Sequence, residues 1–125
     1  MGIFVNPDRN KFKGLTNIPT TILTASAHTL LVKSIIICNR TADIIRINLQ
    51  NFCTQDIPLD IYTFNEFELD AFETKNLIKE IETELVLKFS KTPSIVDSLK
   101  CFSNGYSQVF DCEITYIQLN ELPLY

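Results

Sequence analysis

Glycine is scarce in this sequence, and its scarcity excludes one class of binding site. The chain of 125 residues has three glycines, at positions 2, 14 and 105. A phosphate-binding loop needs several closely spaced glycines, because its backbone must approach the ligand without side chains in the way. These three lie far apart, so the sequence predicts no nucleotide-binding loop and no cofactor.

A basic excess and long apolar runs are also missing. Lysine and arginine number 11 against 15 aspartates and glutamates, a formal net charge of -4. Nucleic-acid binders usually carry a basic excess, so we expect no nucleic-acid partner. Apolar runs such as residues 35–38 are far shorter than the roughly 18 residues that span a bilayer, and residues 1–5 lack the pattern of a signal peptide. The composition predicts one soluble domain that does not contact membranes.

Reactive side chains form no recognisable site. None of the cysteines lies in a C-x-x-C pair, so we expect reduced structural thiols and no metal site. The one histidine, His28, would have to serve any Ser-His-Asp or Cys-His site, but it lies in a short polar break that is typical of a turn. The sequence therefore predicts neither catalytic residues nor a small-molecule substrate. The cysteines are Cys38, Cys53, Cys101 and Cys112.

An acidic stretch offers the remaining candidates for acid–base chemistry. Glu66, Glu68 and Asp70 could supply the carboxylate pair of a glycoside hydrolase. The chain has no tryptophan to stack on sugars, and the acids alternate with Phe67 and Leu69. We therefore interpret them as solvated side chains between core residues.

The hydrophobic pattern is mostly that of β-strands. Alternation or β-branched enrichment predicts strands over residues 20–24, 29–39, 44–51, 85–89, 97–102 and 110–116. Residues 29–51 are predicted to form a hairpin, and a change of apolar parity after Tyr116 indicates a bulge or a change of covering partner. Residues 74–84 fit either one short helix or one more strand, and residues 52–72 a long loop with short strands. The prediction is an all-β fold, an antiparallel, jelly-roll-like β-sandwich of seven or eight short strands.

The domain organisation follows from the polar segment at residues 6–10. We predict an N-terminal arm over residues 1–10 and a single sandwich domain over residues 11–125. The apolar Ile3, Phe4 and Val5 could fold back as an edge strand of the domain or dock on a neighbouring subunit. Formal charge is +4 over residues 1–50, -6 over residues 51–90 and -2 over residues 91–125. Such asymmetry could steer identical subunits head to tail.

Two segments, residues 19–49 and residues 108–120, resemble a known class of proteins. Residues 19–25 (PTTILTA), 32–39 (VKSIIICN), 41–42 and 44–49 (IIRINL) are similar, in order and type, to small β-sandwich structural proteins of tailed-bacteriophage virions. Residues 108–120 resemble their C-terminal strand more loosely. The resemblance implies a tail, neck or head-surface component of the virion, assembled in the host cytoplasm with copies of itself and other virion proteins.

A binding module is the alternative function. A β-sandwich can also present a contact patch to a carbohydrate or protein ligand, and exposed aromatic side chains of the long loop would supply that patch. The residues predicted to form an assembly interface or contact patch are Ile3, Phe4, Val5, Tyr62, Phe64 and Phe67.

Overall fold

The structure is a computed structural model that describes residues 7–53, 60–64, 66–82, 84–89 and 96–119; for Cys53 and residues 60–63 it describes the backbone alone. Almost all of the regular structure is extended, with one short helix. In chain order the elements are β1 (Asp8–Leu15), β2 (Thr20–Thr24), β3 (Thr29–Asn39), β4 (Ile45–Cys53), β5 (Asp60–Thr63), β6 (Phe67–Leu69), β7 (Thr74–Asn76), α1 (Leu77–Ile81), β8 (Leu85–Leu87), β9 (Ser98–Ser103) and β10 (Phe110–Leu119).

The strands form two antiparallel sheets that pack face to face. The first sheet has the order β1-β10-β3-β7, and β8 pairs with β3 beside β7. The second has the order β2-β9-β4-β5, and β6 pairs with β4 beside β5. If β5 with β6 and β7 with β8 are each counted as one interrupted strand, eight strand positions are divided between the sheets in jelly-roll order, with β4 and the β5/β6 position consecutive in the second sheet. The predicted antiparallel β-sandwich is confirmed.

The predicted hairpin over residues 29–51 is wrong, although both of its strands exist. β3 pairs with β10, β7 and β8 in the first sheet, whereas β4 pairs with β9, β5 and β6 in the second. Each strand has a strongly apolar face, and the connection over residues 40–44 carries the chain from one sheet to the other. The two apolar faces therefore meet across the core instead of lying side by side.

Side chains of alternate residues fill the space between the sheets. In β4, Ile45, Ile47 and Leu49 are fully buried, as their alternation with polar residues predicts. Phe110 and Ile114 of β10 face them from the first sheet and are also fully buried. This core is continuous across both sheets and makes the sandwich one packing unit.

The predicted bulge lies between β10 and β3, but its extra residue is on β3. Thr115 pairs with Ser34 and Tyr116 pairs with Val32, so Lys33 has no partner in the ladder. The bulge lets Val32 and Ile35, an odd distance apart, both face the core.

The segment at residues 74–84 contains both of the predicted alternatives in succession. The short strand β7 ends at Asn76, whose side-chain Oδ1 accepts a hydrogen bond from the Ile78 backbone at 3.1 Å and so caps α1. The helix buries Leu77 and ends at Glu82, which has a left-handed backbone. The short strands predicted within residues 52–72 correspond to β5 and β6.

The first strand begins earlier than the predicted domain boundary. β1 starts at Asp8 and pairs with β10 from that residue on, so residues 8–10 of the predicted arm belong to the sandwich. The side chain of Asn10 donates to the carbonyl of Ile22 at 3.3 Å and ties β1 to β2. Ile3, Phe4 and Val5 lie outside the described residues.

Candidate functional site

Four connections lie at the same end of the sandwich. β1 ends at Leu15, opposite Phe110 at the start of β10, and Phe110 also pairs with Asn39 at the end of β3. Thr74, the first residue of β7, pairs with Cys38 of β3. The chain therefore crosses between the sheets four times at this end. We call it the loop end, and its loops are residues 16–19, 40–44, 70–73 and 104–109.

The loop end carries most of the exposed apolar side chains of the described residues. Five large apolar residues of the described chain are exposed. Four of them lie at the loop end, one in each of its four loops. Ile18 is 65% exposed, Ile44 56%, Phe72 65% and Tyr106 77%. Single exposed apolar residues are ordinary, but clustering at one end of a domain marks an interaction surface.

Backbone hydrogen bonds join each loop to its neighbour. The amide of Ser103, the last residue of β9 before the 104–109 loop, donates to the carbonyl of Thr16 at 3.0 Å and so links the start of that loop to the 16–19 loop. Arg40 donates to the carbonyl of Val109 at 3.0 Å and so links the next pair. Phe72 donates to the carbonyl of Thr41 at 3.1 Å and links the last pair. The loops form a connected row rather than four independent tips.

Asn39 fixes two of these loops from inside the protein. Its fully buried side chain donates from Nδ2 to the carbonyls of Asp43 at 2.7 Å and Asp70 at 2.8 Å. Its Oδ1 accepts from the backbone amide of Thr41 at 2.9 Å and from the Thr41 hydroxyl at 2.8 Å. Because the amide is buried and fully engaged, the N-x-T sequence at residues 39–41 cannot present it to a glycosylating enzyme in the folded protein.

Phe72 lies on a tight turn in a strained conformation. Its φ is 57°, in the left-handed region that bulky side chains rarely adopt. The turn is closed by a hydrogen bond from the Glu73 amide to the Asp70 carbonyl at 3.0 Å, and by one from the Asp70 amide to Glu73 Oε1 at 3.0 Å. The ring is therefore held outward by a fixed backbone.

The charge of the loop end is mildly acidic. Its loops contain one basic residue, Arg40, and three acidic ones, Asp43, Asp70 and Glu73, a formal net charge of -2. Arg40 Nε lies 3.4 Å from Asp111 Oδ2 and is partly neutralised by it. Within the described part of the chain, Asp43 and Asp70 make no ion pair. A partner for this surface would therefore need apolar contacts and basic groups.

The structure places the residues predicted for an interface in different environments. Phe67 belongs to β6 and is buried in the core, so the expectation that it is exposed is wrong. Phe64 is half-buried and packs against the core. The backbone of Tyr62 belongs to β5, but its side chain lies outside the described residues, as do Ile3, Phe4 and Val5. The long loop therefore provides core residues, because two short strands within it continue the second sheet.

The groups considered for catalysis do not converge. His28 is exposed in the turn between β2 and β3, at the opposite end from the four loops. The shallow depression around it, about 110 Å³, has no acidic residue among its described lining. Glu66 accepts from Asn104 at 3.0 Å and Glu68 lies 3.6 Å from Arg46. The acids alternate with buried Phe67 and Leu69, as predicted.

Two of the cysteines are buried thiols with low reactivity. Burial raises the pKa of Cys101 well above its ordinary value, and the neighbouring Cys112 raises it further. Burial, with a smaller effect from Glu113, raises the pKa of Cys112 to about 12. Since the thiolate is the reactive form, both groups are inert at neutral pH. Cys38 is free and half-buried on the outer face of the first sheet.

Sequence analysis missed all four exposed residues of the loop end. A local signal exists for two of them, since Ile18 and Tyr106 are each a single apolar residue within a polar turn. Nothing local shows that the four turns meet, because they are brought together by strand pairing over long distances in sequence.

Comparisons of the chain with protein-family models, with curated proteins and with solved structures return no match. Among the described residues there is no group of three or more metal-ligating side chains, and no helix is long and apolar enough to cross a membrane.

Proposed function

We propose that this protein is a structural component of a phage-like particle and works by docking its loop end on neighbouring proteins. The observation that carries the proposal is the row of four hydrogen-bonded loops, each of which presents one exposed apolar side chain. The jelly-roll topology supports it, because this fold recurs in viral capsid proteins. So does the resemblance of residues 19–49 to virion β-sandwich proteins.

The rigidity of the loop end suits such a role. Binding through a preformed surface avoids the entropy cost of ordering loops, so a small contact can still be specific. The backbone bonds between the loops and the buried Asn39 amide hold the surface without a ligand. In a symmetric particle, many modest contacts of this kind add to a stable assembly.

The direct test is the location of the protein in cells that produce the particles. Intact particles are separated from soluble lysate on a density gradient, and the protein is quantified by mass spectrometry in each fraction. We expect a fixed copy number per particle. Finding the protein only in the soluble fraction, with complete particles that lack it, contradicts the proposal.

Variants connect that result to the loop end. Phe72→Asp and Tyr106→Asp place a charge on the proposed docking surface, and we expect both to reduce incorporation into particles. His28→Asp introduces the same charge at an exposed residue of the opposite end and is the matched control. Equal incorporation of all three variants would show that docking does not use the loop end.

A binding module for carbohydrate or protein ligands is the second candidate. It is favoured by the outer face of the second sheet, where the Lys100 ammonium lies 4.7 Å from the centre of the half-buried Phe52 ring. Half-buried Phe102 and Asn48 pair on the same face. A glycan array tests this candidate: specific binding that is lost in Phe102→Ala and retained in Phe72→Asp favours it over the structural role.

A further inference from the structure

The two edges of the first sheet carry opposite charge. β1 at one edge has three basic residues and one acidic residue, a net charge of +2, and its Lys11 and Lys13 are exposed. The other edge, formed by residues 70–84 with β7 and α1, has five acidic and two basic residues, a net charge of -3. We call these the basic edge and the acidic edge.

Part of this charge forms no ion pair within the described residues. Arg9 lies 3.7 Å from Glu113, and Lys75 lies about 4 Å from both Glu73 and Glu80. By contrast, in the described parts of the chain no ion pair involves Lys11, Lys13, Asp70, Glu82 or Glu84. Unpaired groups of opposite sign thus remain on opposite edges.

A groove lies on the outer face of the first sheet beside the basic edge. It has a volume of about 260 Å³, and Ile36 and Cys38 of β3 are among its lining residues. Lys11 and Lys13 line its side along β1. Two acidic residues, Asp111 and Glu113, also line it, but both are paired. Asp111 accepts from the Gly14 amide at 2.9 Å and lies 3.4 Å from Arg40, and Glu113 lies 3.7 Å from Arg9. The groove therefore combines an apolar floor with a basic rim.

Phe72 has the complementary chemistry and lies at the corner of the acidic edge. The side chain of Phe72 is 65% exposed. Asp70 lies two residues before it in the chain, and the Asp70 carboxylate makes no ion pair among the described residues. A cavity of roughly 150 Å³ is enough to hold benzene, so the groove has room for the phenyl ring. Insertion would bring Asp70 toward the lysines of the rim.

We propose that copies of this chain associate head to tail, with Phe72 and the acidic edge of one copy docked in the groove and on the basic edge of the next. The inference rests on the proposed function, because it names the first neighbour that the loop end contacts in the assembly. Like edges repel each other, so a two-fold contact through either edge is disfavoured. A heterologous contact of this kind closes into a ring or continues as a filament.

Charge reversal on each edge tests the contact. Lys11→Glu/Lys13→Glu makes both edges acidic, and Asp70→Lys/Glu82→Lys makes the acidic edge basic. By native mass spectrometry and sedimentation we expect each double variant alone to be monomeric. In an equimolar mixture, each acidic edge of one variant can meet a basic edge of the other variant. The mixture should therefore give oligomers that contain equal numbers of the two variants. Folded double variants that remain monomeric when mixed would overturn the proposal.

Removal of the aromatic side chain tests the insertion. Phe72→Ala should raise the dissociation constant of the oligomer at least about tenfold, equivalent to about 1.4 kcal/mol. His28→Ala removes an exposed ring from the opposite end, outside the proposed contact, and should leave the constant unchanged. Equal constants for wild type and Phe72→Ala would overturn the insertion. Alkylation of Cys38, followed by peptide mass spectrometry, should slow on assembly, and an unchanged rate counts against occupation of the groove.

The outcomes separate this inference from the proposed function. A wild-type chain that is monomeric at every concentration, yet present in intact particles, overturns the inference and leaves the structural role in place. A chain that forms the expected oligomer but is absent from particles overturns the structural role and leaves the head-to-tail contact in place.

Discussion

Asn39 offers the sharpest test of how the loop end is held. The substitution Asn39→Ala removes four hydrogen bonds of 2.9 Å or shorter, to the carbonyls of Asp43 and Asp70 and from the amide and hydroxyl of Thr41. Each such bond contributes about 0.5 to 1.5 kcal/mol net, so the four together contribute roughly 2 to 6 kcal/mol. Asp43 and Asp70 are exposed and water can reach their carbonyls, which places the expected loss at about 3 kcal/mol.

Urea denaturation followed by circular dichroism measures this loss directly. Thr41→Val is the control for the hydroxyl. It removes the hydroxyl bond to Asn39 together with the hydroxyl's bonds to the Asp43 carbonyl at 3.1 Å and amide at 3.3 Å, keeps the other three bonds of Asn39, and should cost about 1 to 2 kcal/mol. Asn39→Asp keeps the side-chain oxygen that accepts from Thr41. It replaces the donating Nδ2 with a second carboxylate oxygen, which faces the carbonyl oxygens of Asp43 and Asp70 and is repelled by them. Its destabilisation should therefore exceed that of Asn39→Ala at neutral pH and decrease on acidification, as the buried acid becomes a donor again.

The reasoning fails if Asn39→Ala loses less than about 1 kcal/mol, a value typical of one ordinary hydrogen bond. It also fails if Asn39→Asp is as stable as the wild type at neutral pH. Either result would mean that the backbone bonds between the loops hold the loop end without this amide.

Three further predictions concern thiols, core and strain. Because native Cys101 and Cys112 have raised pKa values, their contribution to stability is complete below the ordinary thiol pKa of about 8.5. It is lost as the pH rises through the raised pKa of each thiol, which is about 12 for Cys112. The free energy of unfolding should fall by up to about 1.4 kcal/mol per pH unit for each thiol, and urea melts from pH 8 to 10 should show a shallower slope in Cys112→Ala. Phe110→Ala should cost about 3 to 5 kcal/mol in the same assay because the ring is fully buried, whereas Tyr106→Ala should change stability by less than about 0.5 kcal/mol. Phe72→Gly should raise the melting temperature of the isolated chain, since glycine adopts the left-handed backbone without strain of about 1 kcal/mol, and an unchanged or lower value would contradict this account.

Sequence reasoning predicted the strands well because their signal is local. Ile45, Ile47 and Leu49 alternate with polar residues, and this period alone defines a strand with one buried face. The change of apolar parity after Tyr116 indicated a bulge or a change of covering partner, and the register does shift beside Tyr116. The extra residue is Lys33 of β3, so the buried positions change parity in β3, between Val32 and Ile35.

Strand pairing is not local, and here the sequence was misleading. A short polar turn between two strands usually indicates a hairpin, yet residues 40–44 connect different sheets. What distinguishes the two cases is the buried Asn39, which binds the turn to the distant 70–73 loop. Phe67 was misplaced for a related reason: it lies in a stretch with weak periodicity, and only the pairing of Ile47 with Phe67 makes it part of the core.

The features that oppose local preference lie mainly at the loop end, and this supports a function there. An exposed phenylalanine with a left-handed backbone, exposed Tyr106 and Ile44, and a fully buried asparagine amide each run against ordinary folding preferences. Sequences are otherwise locally consistent, so such violations concentrate at functional or strained sites. The other non-glycine residue with positive φ, Glu82, needs no functional explanation, because a left-handed residue is a common helix terminus. Phe72 ends no helix, and its strained turn presents the ring that we propose to dock on a neighbouring molecule.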